Sequence, residues 1–259
     1  MSRISSVFAD RRRKALVAYV TMGYPSMEAT VDIVPRLASA GCDIIELGIP
    51  FSDPMADGTT IQEASHTALQ NGVTPVLCME AAATIGKSTR ASLVFMTYYN
   101  PVLNYGLARF CKDAARASID GLLVTDLPPE EGTELRKAAG VESIDIIHLL
   151  APTSTRERIR LVAEKSSGFI YLVSVTGVTG ARSELPAHLE QFVSKVRSET
   201  DKPLCVGFGI SSGDLAIKAA RQADGIVVGS KLVQLMGERN TGKLEAFVKE
   251  LREALDSLR

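Results

Sequence analysis

Eight short apolar runs, each followed by an amphipathic segment, constrain this chain more than any other feature. They are ALVAYVT from Ala15, DIIELG from Asp43, SLVFMTY from Ser92, GLLVTDL from Gly121, IDIIHLL from Ile144, GFIYLVS from Gly168, PLCVGFG from Pro203 and DGIVVGS from Asp224. Runs this continuous in apolar character belong to strands buried on both faces, and strands that alternate with helices pair in parallel. The 259 residues contain no linker, low-complexity tract or shift in composition. The pattern predicts one (β/α)8 TIM barrel, a single domain over residues 1–259. An extra N-terminal helix carries Ile4, Val7 and Phe8, and an extra short helix precedes the last one. The last helix itself sets Leu244, Phe247, Val248, Leu251, Leu255 and Leu258 on one stripe.

Local signals punctuate the crossover segments. Ser154 with Glu157 reads as a capping box for the fifth, and Ser211 with Asp214 as an N-cap and first-turn acid for the seventh. Pro35 predicts a kink in the first, which Gly41 should end.

A formal net charge of -1 leaves no field to gather nucleic acid or anionic lipid, and the run Arg11 to Lys14 reads as a solvated turn. Cys42, Cys78, Cys111 and Cys205 lie far apart among apolar neighbours, as expected of free thiols in a reducing cytoplasm. His66, His148 and His188 fall at no metal-ligand spacing, so no metal is expected. No run approaches the roughly 18 apolar residues of a membrane span, and the first residues lack the apolar region of a leader peptide.

In a barrel of this kind, chemistry sits at the C-terminal ends of the strands. Side chains alternate along DIIELG, so Ile45 and Leu47 belong under the helices while Ile44, Glu46 and Gly48 face inward. An inward carboxyl near the barrel mouth loses solvation and its pKa rises, which suits a proton carrier; a buried structural pair with a neighbouring strand is the other reading. Asp57 follows in a loop stiffened by Pro50 and Pro54. Its Asp-Gly pair fits a turn as well as a site. Asp53, between the prolines, reads as a surface or partner contact.

Three strand ends carry glycines: VTGVTGAR from Val175, GFGISSG from Gly207 and VVGSKL from Val227. None has the spacing of a nucleotide fingerprint. Gly209, Gly229 and Ser230 stand where loops after the seventh and eighth strands form a backbone N–H phosphate site, although each glycine alone also fits a tight turn. The residues therefore describe a metal-free barrel that binds a small phosphate ester and moves protons with two carboxylates.

ELGIPFSDPMADG, TYYNPVL, IYLVSVTGVTGAR, GFGIS and VVGS, in this order and at these strand ends, resemble the tryptophan synthase alpha-subunit family from Val17 to the last helix. The resemblance implies cleavage of indole-3-glycerol phosphate to indole and glyceraldehyde 3-phosphate, a retro-aldol reaction. It implies that Glu46 is the acid-base group, that Asp57 holds the indole N–H and its developing positive charge, and that Tyr171 stands near the reacting side chain. Gly180, Gly209, Gly229 and Ser230 would bind phosphate, and Thr179 would close a loop over the site. Tyr19, Ile61, Met96, Tyr98, Thr125, Phe208 and Val227 would line the indole pocket. The implied partner is a beta subunit carrying pyridoxal phosphate in an αββα assembly, with no cofactor in this chain; Pro50 to Asp57 and Leu103 to Gly106 are the candidate contact segments. Two positions depart from the family's pattern: Thr59 stands where a proline is usual, and Phe169 where some members have tyrosine.

Three alternatives remain open at the level of sequence. The chain could act alone as an indole-glycerol phosphate lyase, or serve only to activate a partner. It could also be another phosphate-binding barrel, but a decarboxylating one would want a lysine at a strand end inside the barrel, and these strands carry none.

Overall fold

A computed structural model describes residues 2–173, 185, 188–207 and 209–258. In chain order the elements are α1 (Arg3–Val7), β1 (Ala15–Thr21), α2 (Met27–Ala40), β2 (Ile44–Gly48), α3 (Thr59–Gln70), α4 (Pro75–Gly86), β3 (Ser92–Thr97), α5 (Tyr99–Tyr105), α6 (Leu107–Arg116) and β4 (Gly121–Val124). They continue with α7 (Thr133–Val141), β5 (Asp145–Leu150), α8 (Arg156–Lys165), β6 (Ile170–Val173), α9 (Leu189–Arg197), β7 (Leu204–Gly207), α10 (Gly213–Ala220), β8 (Gly225–Val228), α11 (Ser230–Gly237) and α12 (Thr241–Asp256). The eight strands close into one parallel barrel in sequence order, β8 pairing back onto β1. This is the TIM barrel expected, with α1 and the short α11 as the two extra helices predicted; the β2–β3 and β3–β4 crossovers, with α3 and α4 and with α5 and α6, each carry one helix more than the sequence pattern predicts.

Every strand expected is present, and most are shorter than their apolar runs. Some surplus residues lead into their strand, as Asp43 and Asp224 do, and others begin the next segment: Tyr98 becomes the N-cap of α5, and Gly229 the N-cap of α11.

Alternation along the strands makes two cores. Leu16, Ala18, Val20, Ile45 and Leu47 pack outward against Ile33, Val34 and Leu37 of α2. Val17, Ile44, Val94, Leu123, Ile147, Phe169, Cys205 and Val227 fill the barrel itself, and Ile4 of α1 joins them. Ile4 enters through a notch of two glycines. A Cβ at Gly121 would stand 2.7 Å from its Cδ1, and one at Gly168 2.9 Å from its Cγ2. The plug is tied in place by polar groups: Ser2 caps α1 and bonds Asp145, while Arg3 reaches Asp120 and the carbonyls of Arg90 and Ala91.

Charged groups at this end serve the ladder. Asp43, Asp120 and Asp224 each accept a backbone N–H from a neighbouring strand, of Leu16 at 2.9 Å, Leu93 at 3.0 Å and Leu204 at 2.8 Å. Asp43 is also paired with Arg13 and Arg252. These carboxylates at the N-terminal face of the barrel therefore serve stability.

Two caps differ from the sequence expectation by one residue. Thr155, rather than Ser154, accepts the Arg158 N–H to open α8, and the Ser154 hydroxyl accepts the Ala151 N–H instead. Ser212, rather than Ser211, caps α10 through the Leu215 N–H, with Asp214 in the first turn as expected. Adjacent hydroxyls compete for one cap, and the path of the chain out of the strand decides which has the extended backbone a cap requires. Helix α2 continues through Pro35 to Ala40, where Gly41 at φ 121° ends it.

Candidate active site

Glu46 lies on β2 between Tyr19 of β1 and Val94 of β3 in the ladder register. It is fully buried, and neither carboxyl oxygen has a hydrogen-bond partner among the described residues. Burial alone pushes its pKa up to about 8. The structural reading, a carboxyl paired with a neighbouring strand, is not what this geometry provides. A lone acid in a low-dielectric interior holds its proton near neutral pH.

The next inward position toward the mouth is Gly48, and its lack of a side chain is required by a neighbour. A Cβ there would stand 2.2 Å from the Tyr19 phenol oxygen. The same device recurs across the barrel, where a Cβ at Gly207 would stand 2.5 Å from the Tyr171 phenol oxygen. Two glycines thus hold open the space for two phenols at the level just above Glu46. Both phenols titrate far above their ordinary range. Burial is the first cause for each; Asp57 and then Glu46 add to it at Tyr19, and Glu46, Cys205 and Asp57 at Tyr171. Both phenols thus feel both carboxyls, as groups facing one space do.

Asp57 reaches that space from the loop after β2. The loop is folded on itself: the Asp57 N–H donates to the Pro54 carbonyl at 3.0 Å, and Gln62 of α3 donates to the Asp57 carbonyl at 2.9 Å. The Tyr98 hydroxyl donates to Oδ2 of Asp57 at 3.2 Å. Burial raises the Asp57 pKa to about 6, opposed by that bond. Among the described residues no cation contributes to either carboxyl's titration, so a transient positive charge there would have two acids and two phenols as neighbours. Asp53 is not part of this group; it is exposed and takes a bond from Ser52.

The expected indole pocket assembles in part. Tyr19 and Ile61 pack in one cluster with Met96 against it. Val227 lies in the inner barrel cluster, and Thr125 lies against the buried Tyr98 phenol. The same cluster includes Ala64 and Val233, which sequence reasoning missed. Ala64 lies one turn beyond Ile61 on α3, and Val233 one turn into α11, so helical spacing from Ile61 and Ser230 was the signal available. Of the expected phosphate ligands, Gly209 has a φ of 69°, Gly229 is the N-cap of α11 and lies against Tyr19, and Ser230 is that helix's first residue. Gly180, Thr179 and Phe208 lie outside the described residues.

Comparison with known proteins fits this arrangement. Residues 6–258 match the family model for the tryptophan synthase alpha chain. The chain is 53% identical to the tryptophan synthase alpha chain of Dehalococcoides mccartyi, over 99% of this chain and 100% of that one. It is 47% identical to that of Geobacter sulfurreducens, over 98% and 99%. This chain belongs to the tryptophan synthase alpha-chain family. Among solved structures, a Mycobacterium tuberculosis tryptophan synthase chain superposes with a TM-score of 0.93 at 39% identity, covering 98% of each chain. The tryptophan synthase alpha subunit of Legionella pneumophila superposes with a TM-score of 0.90 at 31% identity, covering 99% of each.

Tryptophan synthase alpha chains are lyases of tryptophan biosynthesis, and this chain is one of them. Its two departures from the family's sequence pattern fall outside the carboxyl cluster. Thr59 is an exposed residue at the start of α3. Phe169 is fully buried in the lower layer of the barrel, its ring tilted on Phe8 with centroids 5.9 Å apart. Among the described residues no helix is long and apolar enough to cross a membrane.

Proposed function

We propose that the cluster around Glu46 cleaves indole-3-glycerol phosphate, with Glu46 carrying the proton in both directions. The observation that bears the proposal is a fully buried carboxyl at the mouth end of the barrel, without a hydrogen-bond partner among the described residues and with a pKa of about 8. Protonated at neutral pH, Glu46 donates to C3 of the indole, giving a cationic ring. The Asp57 carboxylate accepts the ring N–H and stabilises that charge. Glu46, now a carboxylate, takes the proton of the hydroxyl on the carbon bonded to C3. The C–C bond breaks, its electrons return to the ring as indole, and the hydroxyl carbon becomes the aldehyde of glyceraldehyde 3-phosphate. Glu46 ends protonated, as it began. Proton transfer of this kind is worth about 10² to 10⁴ in rate.

The remaining assignments follow the same reading. Tyr171 lies beside the reacting side chain, and Tyr19, Ile61, Met96, Tyr98, Thr125, Phe208 and Val227 enclose the ring. Backbone N–H groups at Gly209, Gly229 and Ser230 hold the phosphate at the start of α11, and Gly180 is assigned to the same phosphate. Thr179 is assigned the loop-closure role that the family resemblance implies, which would exclude water from the site. The barrel serves as one domain, and its four buried free thiols suit the cytoplasm.

The partner is a beta subunit, which supplies the pyridoxal phosphate that this chain does not itself need. Met55 is 93% exposed in the loop after β2 and Leu103 is 52% exposed on α5. The two segments are neighbours, since Phe51 stacks on Tyr98 with ring centroids 5.2 Å apart. Two large apolar side chains left in solvent on adjoining loops, with Asp53 between the prolines, suit a docking face.

The experiment incubates purified protein with indole-3-glycerol phosphate and follows indole release, with and without a beta subunit, beside Glu46→Gln and Asp57→Ala. Wild type should release indole slowly alone and faster with the partner, and both variants should lose about 10²-fold or more. No indole from wild type under either condition would refute the reading.

A further inference from the structure

The Tyr98 phenol makes two hydrogen bonds to one short stretch of chain. It donates to Oδ2 of Asp57 at 3.2 Å and accepts the Ala56 N–H at 3.0 Å. Its ring is stacked on Phe51 at an interplanar angle of 29°, and Phe51 opens the same loop. Tyr98 is 5% exposed and sits at the end of β3, where it is the N-cap residue of α5. One side chain on a rigid strand end therefore grips the loop after β2 at both its beginning and its catalytic end. Lining an indole pocket would require only the ring. The hydroxyl has another task.

We infer that Tyr98 is a positioning residue, which fixes the direction of the Asp57 carboxylate and favours its ionised form. The inference rests on Asp57 acting in indole-glycerol phosphate cleavage. An Asp on a loop with Gly58 behind it has rotamers that point to solvent, and each costs the enzyme a productive geometry. A phenol hydroxyl donating to one carboxyl oxygen selects the conformer facing the cavity and leaves the second oxygen for an indole N–H. A hydrogen bond to the charged form also favours that form. The groups that act on Asp57 or are acted on by it are Tyr19 from β1, Tyr171 from β6 and Tyr98 from β3. Of these, only Tyr98 bonds the carboxyl directly among the described residues.

The test uses the full chain with its beta subunit and the variant Tyr98→Phe, which keeps the ring stack on Phe51. Carboxyl-labelled aspartate followed by NMR gives the Asp57 titration without reference to turnover. Steady-state rates across pH give kcat and KM. The expected result is an Asp57 midpoint raised by about half a unit or more, kcat lowered about 10-fold and KM within about 2-fold, because the lost bond acts on a charged group and on orientation. The rising limb of kcat with pH should move with the NMR midpoint. An unmoved midpoint, or a kcat within about 2-fold of wild type, would overturn the inference. A wild type without turnover would instead refute the proposed reaction and leave the NMR result to decide the bond itself.

Discussion

Tyr19 and Gly48 meet across the β1–β2 ladder so closely that one added carbon at position 48 would lie 2.2 Å from the phenol oxygen. Gly48→Ala should therefore displace the Tyr19 ring into the cavity above Glu46. Overpacking of this kind costs about 1–3 kcal/mol, and the displaced ring would occupy substrate space. The expected outcome is a protein that folds, melts a few degrees lower and binds substrate at least 10-fold more weakly. Thermal melting and KM for indole release check it; a KM unchanged from wild type would show that the ring relaxes elsewhere.

Glu46 should make the fold less stable as pH rises. Its folded pKa, about 8, lies above the ordinary value of 4.5, so between those pH values the folded chain holds a proton that the unfolded chain has released. Stability is then full below pH 4.5 and falls until pH 8. At about 1.4 kcal/mol per unit, the loss at pH 7 is on the order of 3 kcal/mol. Glu46→Gln should raise the melting temperature at pH 8 more than at pH 5 while removing turnover. Equal shifts at the two pH values would contradict a stranded acid.

His148 should set an opposite dependence in acid. It faces outward from β5, is 6% exposed, and its Nε2 is buried with no partner among the described residues. Burial lowers its pKa to about 4, with Arg136 and Arg158 adding to the effect. The unfolded chain takes up a proton near pH 6.5 and the folded chain near 4, so stability present above 6.5 is lost as pH falls through that window. Denaturant titrations from pH 7 to 4 should show a shallower decline for His148→Phe. A parallel decline in both proteins would assign the acid limb to other groups.

Ile4 should carry stability without carrying catalysis. Its side chain is fully buried in the glycine notch at the lower end of the barrel, on the far side from Glu46. Truncation of a buried isoleucine costs about 2–5 kcal/mol. Ile4→Ala should lower the urea midpoint accordingly, with kcat at 20 °C within about 2-fold of wild type. A large fall in kcat at full folding would connect the plug to the site.

Much of this molecule was legible without coordinates because the rules involved are local. Continuous apolar runs separated by amphipathic segments fixed the count and order of strands, and a period of two fixed which side of β2 carried Glu46. Those follow from backbone geometry alone. The caps went astray by one residue at Thr155 and Ser212 because neighbouring hydroxyls have equal local claims, and only the direction of the incoming chain separates them. Ala64 and Val233 were missed because small and branched residues on helices announce a packed face without saying which one. The Tyr98 grip on Asp57 joins residues 41 apart in the chain. Whether Glu46 had a partner depended on every inward side chain of eight strands at once. Sequence settles what each residue does to its own backbone; solvation of a buried charge is a sum over neighbours, and neighbours across a barrel exist only once it has closed.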